Sequence, residues 1–306
     1  MNKNKNRFKN VSKEFLNSKE YHVREETSLL PFLLTIVSGQ SRNAIKGMLS
    51  HHLVAVNGSP TSQFDYRLYP GDVVLISKAP LKRKTGVKLD IVYEDDDIIV
   101  INKPTKLLTI ASDKEKGKTA FRQVLDYVQI KNPRNRVFVV HRIDEDTSGV
   151  LMFAKNIKMQ KLYQDKWNDL VILRGCYAVV DGVMKEKKKT ITSYLKSNSL
   201  NLMYSSDDKV HGKKAITHYE VKMENEKYSL LEVAIDSGRK NQIRVHLGDL
   251  GHHIIGDDKY GNPTNPIKRL GLHAYCLKIR HPETKKIMTF KASMPKEFQK
   301  LFQKDN

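Results

Sequence analysis

Between Thr27 and Ile76 the apolar positions fall first at helical spacing and then in short continuous runs. Leu30, Leu33, Leu34 and Val37 recur every three to four residues behind Thr27-Ser28, a helix-capping pair, and Gly39 ends the segment. Ser41 caps a second predicted helix, Arg42 to about Ser50. Ala44, Ile45, Met48 and Leu49 occupy one side of it, and Arg42 and Lys46, four residues apart, share the other. Leu53-Val54-Ala55-Val56 then reads as a strand closed by Asn57-Gly58, the strongest short hairpin signal. Tyr69-Pro70-Gly71-Asp72 turns the chain into Val73-Val74-Leu75-Ile76. Two short helices and a small twisted sheet over residues 21–80 predict a compact module. Residues 1–20 hold Lys, Asn and Ser with few apolar positions and predict a flexible basic arm, while residues 81–88, the end of the aperiodic stretch KAPLKRKTGVK, predict a linker.

From residue 89 to 306 the pattern is mostly that of strands. Ile91–Glu94 and Ile98–Lys103 flank the acidic turn Asp95-Asp96-Asp97. A helix is predicted over Thr119 to Val128, with Ala120, Val124, Leu125 and Val128 inward, and another over Lys158 to Asp169. The remainder reads as strands at Val171–Val180, Ile191–Leu195, Ala215–Met223, Tyr228–Ile235, Leu272–Ile279 and Ile287–Ala292. No internal repeat and no βαβ alternation is visible. Runs of strands with a few helices predict an α+β domain built on a large mixed, mostly antiparallel sheet.

Charge narrows the partner. Lys and Arg number 54 against 34 Asp and Glu, a net charge of +20 over 306 residues. Such an excess points to a polyanion, nucleic acid or an anionic membrane surface. The longest apolar stretch, Leu29 to Val37, falls far short of the roughly 20 residues that span a bilayer, so no membrane partner is expected. Two cysteines, Cys176 and Cys276, without CxxC spacing suit a reducing cytoplasm and form no zinc signature. Met1 to Asn10 is polar and basic, with no apolar core of a secretory signal. The composition alone predicts a cytoplasmic, RNA- or DNA-directed protein.

The densest polar string lies between two apolar runs, Val137–Val140 and Leu151–Ala154. It reads His141-Arg142-Ile143-Asp144-Glu145-Asp146-Thr147-Ser148-Gly149. Loops held by strands are where catalytic groups tend to sit. The string resembles the HRLDxxTSG signature of the RluA family of pseudouridine synthases, which isomerise uridine in folded RNA, with Ile143 in place of Leu. A second string, Ser237-Gly238-Arg239-Lys240-Asn241-Gln242-Ile243-Arg244, resembles that family's TGRTHQIR, with Ser237, Lys240 and Asn241 departing. A third, Arg174 to Gly182, resembles its K/R-x-Y-x-A-hydrophobic-x-G strand with one residue of irregularity. Asn102-Lys103-Pro104 resembles the NKPAG element, with Thr105-Lys106 in place of Ala-Gly, and Gly256 to Gly261 resembles a GDxxYG loop that shapes the cleft.

The resemblance implies a set of roles. Asp144 is the catalytic carboxylate, which breaks the N1–C1′ bond either by attacking C1′ or by taking the C2′ proton. Buried beside an apolar base it would resist ionisation and needs a fixed cation, and the resemblance implies that Arg244 pairs with it. Tyr177 is the active-site tyrosine, stacking on the uracil and accepting the C5 proton. Arg142 enters the space left by the flipped base, since a stacked uridine is otherwise out of reach. His141, Thr147, Ser148, Gln242 and Ile243 line the substrate. Residues 21–80 resemble the alpha-L (S4-type) RNA-binding module through Ser41-Arg42, Val54–Gly58 and Pro70-Gly71-Asp72, with His52 where Gly is usual. That implies RNA contacts from Arg42 and Lys46.

No cofactor and no metal are expected. A two-metal nuclease could be drawn from Asp95–Asp97, Asp144–Asp146 and His252-His253 with Asp257-Asp258, but no HxxxH or HExxH spacing exists. It would also leave the Arg-rich strings unexplained. The expected partner is RNA, large-subunit ribosomal RNA first and transfer RNA as the alternative, acted on by a cytoplasmic monomer. The rival from another class is a non-catalytic RNA-binding or ribosome-assembly factor on the same fold.

Overall fold

The structure, a computed structural model, describes residues 18–81, 89–112, 118–132, 134–261 and 265–303. The predicted linker after Leu81 and all but three residues of the predicted arm lie outside them. The chain forms two compact units. One gathers Met1–Lys88 with Arg122–Arg136, and the other holds Leu89–Phe121 and Val137–Asn306.

The first unit runs β1 (Ser18–His22), β2 (Thr27–Ser28), α1 (Leu29–Ile36), α2 (Arg42–Ser50), β3 (Val54–Val56), β4 (Ser59–Pro60), β5 (Arg67–Leu68) and β6 (Val73–Ser77). Ser18, Lys19 and Glu20 are therefore strand, paired antiparallel with β6, where an arm was expected. The four-stranded sheet has the order β1-β6-β3-β4. Leu29, Leu30 and Leu33 of α1 and Ile45 and Leu49 of α2 pack on Val54, Val56 and Val74. The predicted start of α2 holds, because the Ser41 side chain accepts the Ala44 N–H at 3.2 Å. Its end is a Schellman motif: His52 N–H bonds to Leu49 O and Leu53 N–H to Met48 O. His52 adopts φ +55°, a left-handed conformation that glycine takes without penalty. Arg42 and Lys46 stay exposed on the face away from Ile45 and Leu49, with the Lys46 ammonium 5.2 Å from the centre of the Phe64 ring.

The second unit begins with β7 (Ile91–Glu94) and β8 (Ile98–Lys103). Helix α3 (Ala120–Lys131) follows, and its residues from Arg122 onward group with the first unit. Then come β9 (Phe138–Val139), β10 (Ser148–Ala154), α4 (Ile157–Asp165), α5 (Trp167–Leu170), β11 (Val171–Asp181), β12 (Lys188–Ser197), β13 (Met203–Ser206), β14 (Lys213–Glu224), β15 (Tyr228–Ile235), α6 (Gln242–Asp249), β16 (Leu272–Arg280), β17 (Ile287–Lys291) and α7 (Lys296–Lys300). The single helix predicted over Lys158–Asp169 is thus two, broken at Lys166, whose φ of −120° is not helical.

The strands form one sheet in the order β13-β12-β14-β15-β11-β16-β10-β8-β7, with β17 on β16 and β9 on β10. Every pairing is antiparallel except β10 with β16. Apolar layers cover both faces. Val150, Met152 and Ala154 of β10 pack with Met159, Tyr163 and Leu170 of α4 and α5. Ala178 and Val180 of β11 pack with Ile243 and Leu247 of α6. Gly149 marks the parallel junction. Its φ is +115°, and a Cβ there would sit 2.1 Å from the Ala274 carbonyl oxygen, so the signature glycine is what lets β10 meet β16.

Candidate active site

The loop between β9 and β10 carries Asp144, and a second loop grips it from below. Thr109 donates its hydroxyl to Ile143 O at 2.7 Å, and Thr105 donates to Asp146 O at 2.7 Å. Leu107 N–H reaches Glu145 O at 3.2 Å. Lys103, at the end of β8, is fully buried, and its ammonium donates to Pro104 O at 2.9 Å, Leu107 O at 2.6 Å and Glu145 O at 3.0 Å. All three ammonium hydrogens therefore hold main-chain carbonyls. Burial pulls the Lys103 pKa down to about 7, against the field of Asp146, Asp144 and Glu145. The NKP string thus acts as the floor under the acidic loop. Where the family element has glycine, Lys106 takes φ +59°, so the turn geometry survives without the residue that favours it.

Asp144 is half-buried, and its carboxylate makes no hydrogen bond or ion pair among the described residues. Burial raises its pKa, opposed first by Arg244 and then by Arg142. Arg244 lies in the first turn of α6 and is itself buried. The expected direct pair with Asp144 is not made. The guanidinium forks onto Asp257, Nε to Oδ2 at 2.7 Å and Nη2 to Oδ1 at 2.5 Å, and Nη1 donates to Asn241 Oδ1 at 3.2 Å. Asp257, 1% exposed, comes from the GDxxYG loop and accepts the N–H groups of Lys259 and Tyr260 on the same oxygen that takes Nη2. Three of the five guanidinium N–H groups are thus committed to Asp257 and Asn241, and none of the others bonds to Asp144. Arg244 consequently acts on Asp144 through space. The loop expected to shape the cleft also holds a buried cation, Arg244.

Strand β11 turns Tyr177 to the face away from Ile143 and Ile243. Residues alternate faces along a strand. Cys176 and Ala178 lie on the face that packs with Ile143 and Ile243, the neighbours of Asp144 and Arg244. Tyr177 lies on the opposite face with Val179, Leu230 and Phe298. Its ring stacks on Tyr275 at 4.2 Å, and the Tyr275 hydroxyl bonds to Glu232, the cross-strand partner of Tyr177. The quoted family pattern puts tyrosine two residues after the basic residue and two before alanine. Between Arg174 and Ala178 that position is Cys176.

A family profile described as RNA pseudouridylate synthase matches residues 97–249, which contain the acidic loop, β11 and α6. The chain belongs to this family. Among curated relatives, the RNA pseudouridine synthase YhcT of Bacillus subtilis is 30% identical over 270 residues, covering 85% of this chain and 88% of its own. The ribosomal large subunit pseudouridine synthase D of Pasteurella multocida is 31% identical over 282 residues, covering 85% and 86%. Among solved structures, human RNA pseudouridylate synthase domain containing 1 aligns with a TM-score of 0.55 at 25% identity, over 70% of this chain and 87% of that one. Human RNA pseudouridylate synthase domain containing 4 aligns at 0.56 and 20% identity, over 68% and 90%, and supports the fold. The chain is an RluA-family RNA pseudouridine synthase, an enzyme, with a mixed α+β fold on a large, mostly antiparallel sheet.

Within this synthase, most side chains expected to line the substrate hold the scaffold. His141 accepts the Met152 N–H at Nε2 (2.9 Å), its ring lies 5.1 Å from that of Trp167, and burial drives its pKa down to about 3, so it is neutral. Ser148 is buried between His273 Nδ1 at 2.7 Å and Arg269 Nη2 at 2.6 Å. Thr147 is buried as well. Gln242 takes the Ser237 hydroxyl and the Arg239 N–H on Oε1 and gives Nε2 to Ile216 O and Thr217 Oγ1, which fastens the loop before α6. Ile243 belongs to the apolar layer under β11. Arg142 alone of this set is exposed. His141, Ser148 and Gln242 turn to partners inside the protein, which a motif match does not reveal. Sequence reasoning also missed Asp257, Lys103 and Cys176. The signals were the Asp that follows Gly in GDxxYG, the Lys at the end of an otherwise apolar strand, and the irregular register of the β11 string. Among the described residues, no group of three His, Cys, Asp or Glu side chains converges as metal ligands would, and no helix is long and apolar enough to cross a membrane.

Proposed function

We propose that this synthase converts uridine to pseudouridine in large-subunit ribosomal RNA, with Asp144 as the reacting carboxylate. The observation that carries the assignment is the unbonded Asp144 side chain on a loop whose backbone is pinned at Ile143, Glu145 and Asp146. A rigid backbone beneath a free carboxylate is the arrangement that orientation-dependent catalysis requires. Arg244, immobilised on Asp257, stabilises the anion as it forms and as it is released. Asp144 breaks N1–C1′ by attack at C1′ or by removal of the C2′ proton, and the freed uracil turns and rejoins through C5. Arg142, exposed beside it, fills the gap in the helix from which the uridine is drawn, a place suited to a flat guanidinium.

The ribosomal substrate is supported by the similarity to the ribosomal large subunit pseudouridine synthase D of Pasteurella multocida and by the +20 net charge. The first unit is read as an alpha-L type RNA-binding domain, which the exposed pair Arg42 and Lys46 and the two-helix-on-sheet arrangement support. This reading implies a cytoplasmic enzyme, where ribosomal RNA is made and folded. Tritium release from 5-tritiated RNA taken from cells lacking the protein tests the reaction. Asp144→Asn should abolish release while RNA binding stays within a few fold, and release at the parental rate would remove Asp144 from the chemistry. Carbodiimide mapping of the same RNA before and after treatment should place the new pseudouridine in the large-subunit species. A product confined to transfer RNA would overturn the ribosomal assignment.

A further inference from the structure

The β11 strand separates two candidate walls for the target base, and the structure puts them on opposite sides of the sheet. Tyr177 stacks with Tyr275 against the α7 side, beside Phe298. Cys176 lies on the α6 side, in one layer with Ile143 and Ile243 and within the electrostatic reach of Asp144 and Arg174. The register fixes this choice: Cys176 pairs with Val233 and Tyr177 with Glu232, and Val233 belongs to the α6-side layer too. Moving Tyr177 to the Asp144 side would require a one-residue slip, which would turn Ala178 and Val180 out of their layer as well.

Resting on the assignment of Asp144 as the reacting group, we propose that the β11 wall met by the target base is formed by Cys176, and that the Tyr177 phenol takes no part in the reaction. Burial pushes the Cys176 thiol up to about 12, so at neutral pH it is a small, uncharged, weakly polar group. It offers the base van der Waals contact in place of a stacked ring, and it supplies no proton acceptor. The proton that leaves C5 as the C5=C6 bond is restored therefore passes to solvent water and not to a side chain of β11. Cys176 is thus a positioning residue of the site, one that limits how much bulk the base pocket holds.

The test uses the full-length protein, with 5-tritiated RNA from cells lacking it. Tyr177→Phe should release tritium within about twofold of the parent. Cys176→Leu adds bulk without charge and should lower kcat/KM at least tenfold, mostly through KM, with an unchanged melting transition. A second variant covers the case in which Cys176→Leu fails to fold. Cys176→Val, a smaller addition of uncharged bulk, should raise KM at least threefold. A hundredfold loss in a folded Tyr177→Phe protein would overturn the proposal, as would a Cys176→Leu or Cys176→Val enzyme with parental kinetics. Asp144→Asn alone, run alongside, reports on the site assignment. The β11 variants report which face the base meets, whatever Asp144 does.

Discussion

Replacing Arg244 by methionine should destabilise the protein through Asp257 and disable it through Asp144, and the two effects can be separated. The guanidinium and the Asp257 carboxylate share two short hydrogen bonds, 2.7 and 2.5 Å, with both side chains almost wholly out of water. Burial opposes ionisation of Asp257, yet the Arg244 fork and the Tyr260 and Lys259 N–H groups hold its carboxyl below the ordinary range. Methionine has similar length and no charge, so the packing against Tyr260, whose ring centre lies 5.0 Å from the guanidinium carbon, largely survives. What remains is a buried carboxylate without its cation. Breaking one partner of such a pair costs about 3–5 kcal/mol. At about 2–4 °C per kcal/mol for a domain of this size, the melting temperature should fall by roughly 6–20 °C. Circular dichroism melts and urea titrations read this directly. The second substitution decides the cause: Asp257→Asn on top of Arg244→Met should recover most of the loss, and Asp144→Asn should recover little. Activity should stay low in both double variants, because one leaves Asp144 without its strongest stabilising field and the other removes the Asp144 carboxylate itself. An Arg244→Met protein that melts like the parent would refute the buried pair, and rescue by Asp144→Asn instead would restore the direct pairing that the motif implies.

Four further outcomes follow from the same geometry. Asp144 must be ionised to react and burial raises its pKa, so kcat/KM should fall on the acid side at a pH above that of an ordinary aspartate. Arg142→Gln removes an opposing charge and should move that limb higher still, and an unmoved limb would separate Arg142 from the site. Lys106→Gly relieves a left-handed residue at an exposed turn and should stabilise by about 0.5–1 kcal/mol after the entropy cost of glycine, so a lower urea midpoint would count against that strain. Arg42→Ala with Lys46→Ala should weaken RNA binding and flatten its salt dependence, by roughly 0.7–0.9 in log–log slope for each phosphate left without its cation. An identical slope would mean that this helix face meets no phosphate.

Much of this protein was decided by its sequence alone. Ser41, the helical spacing behind it, and Asn57-Gly58 specify α2 and the β3–β4 hairpin locally, because caps and left-handed turns depend on a handful of neighbouring atoms. The polar string at Asp144 was legible because a run of charged residues between buried strands has few structural explanations. Tertiary structure decided the rest. Cys176, Ala178, Val179 and Val180 are all buried, so β11 carries no polar alternation from which a face could be read, and only its register against β15 and β16 turned Tyr177 away. Likewise Arg244 had several carboxylates to choose from. Which one it bonds depended on a loop 13 residues away being folded back onto α6, with Asp257 arriving already oriented by two main-chain N–H groups. A motif names the charged groups, and the packing of distant segments decides which of them touch.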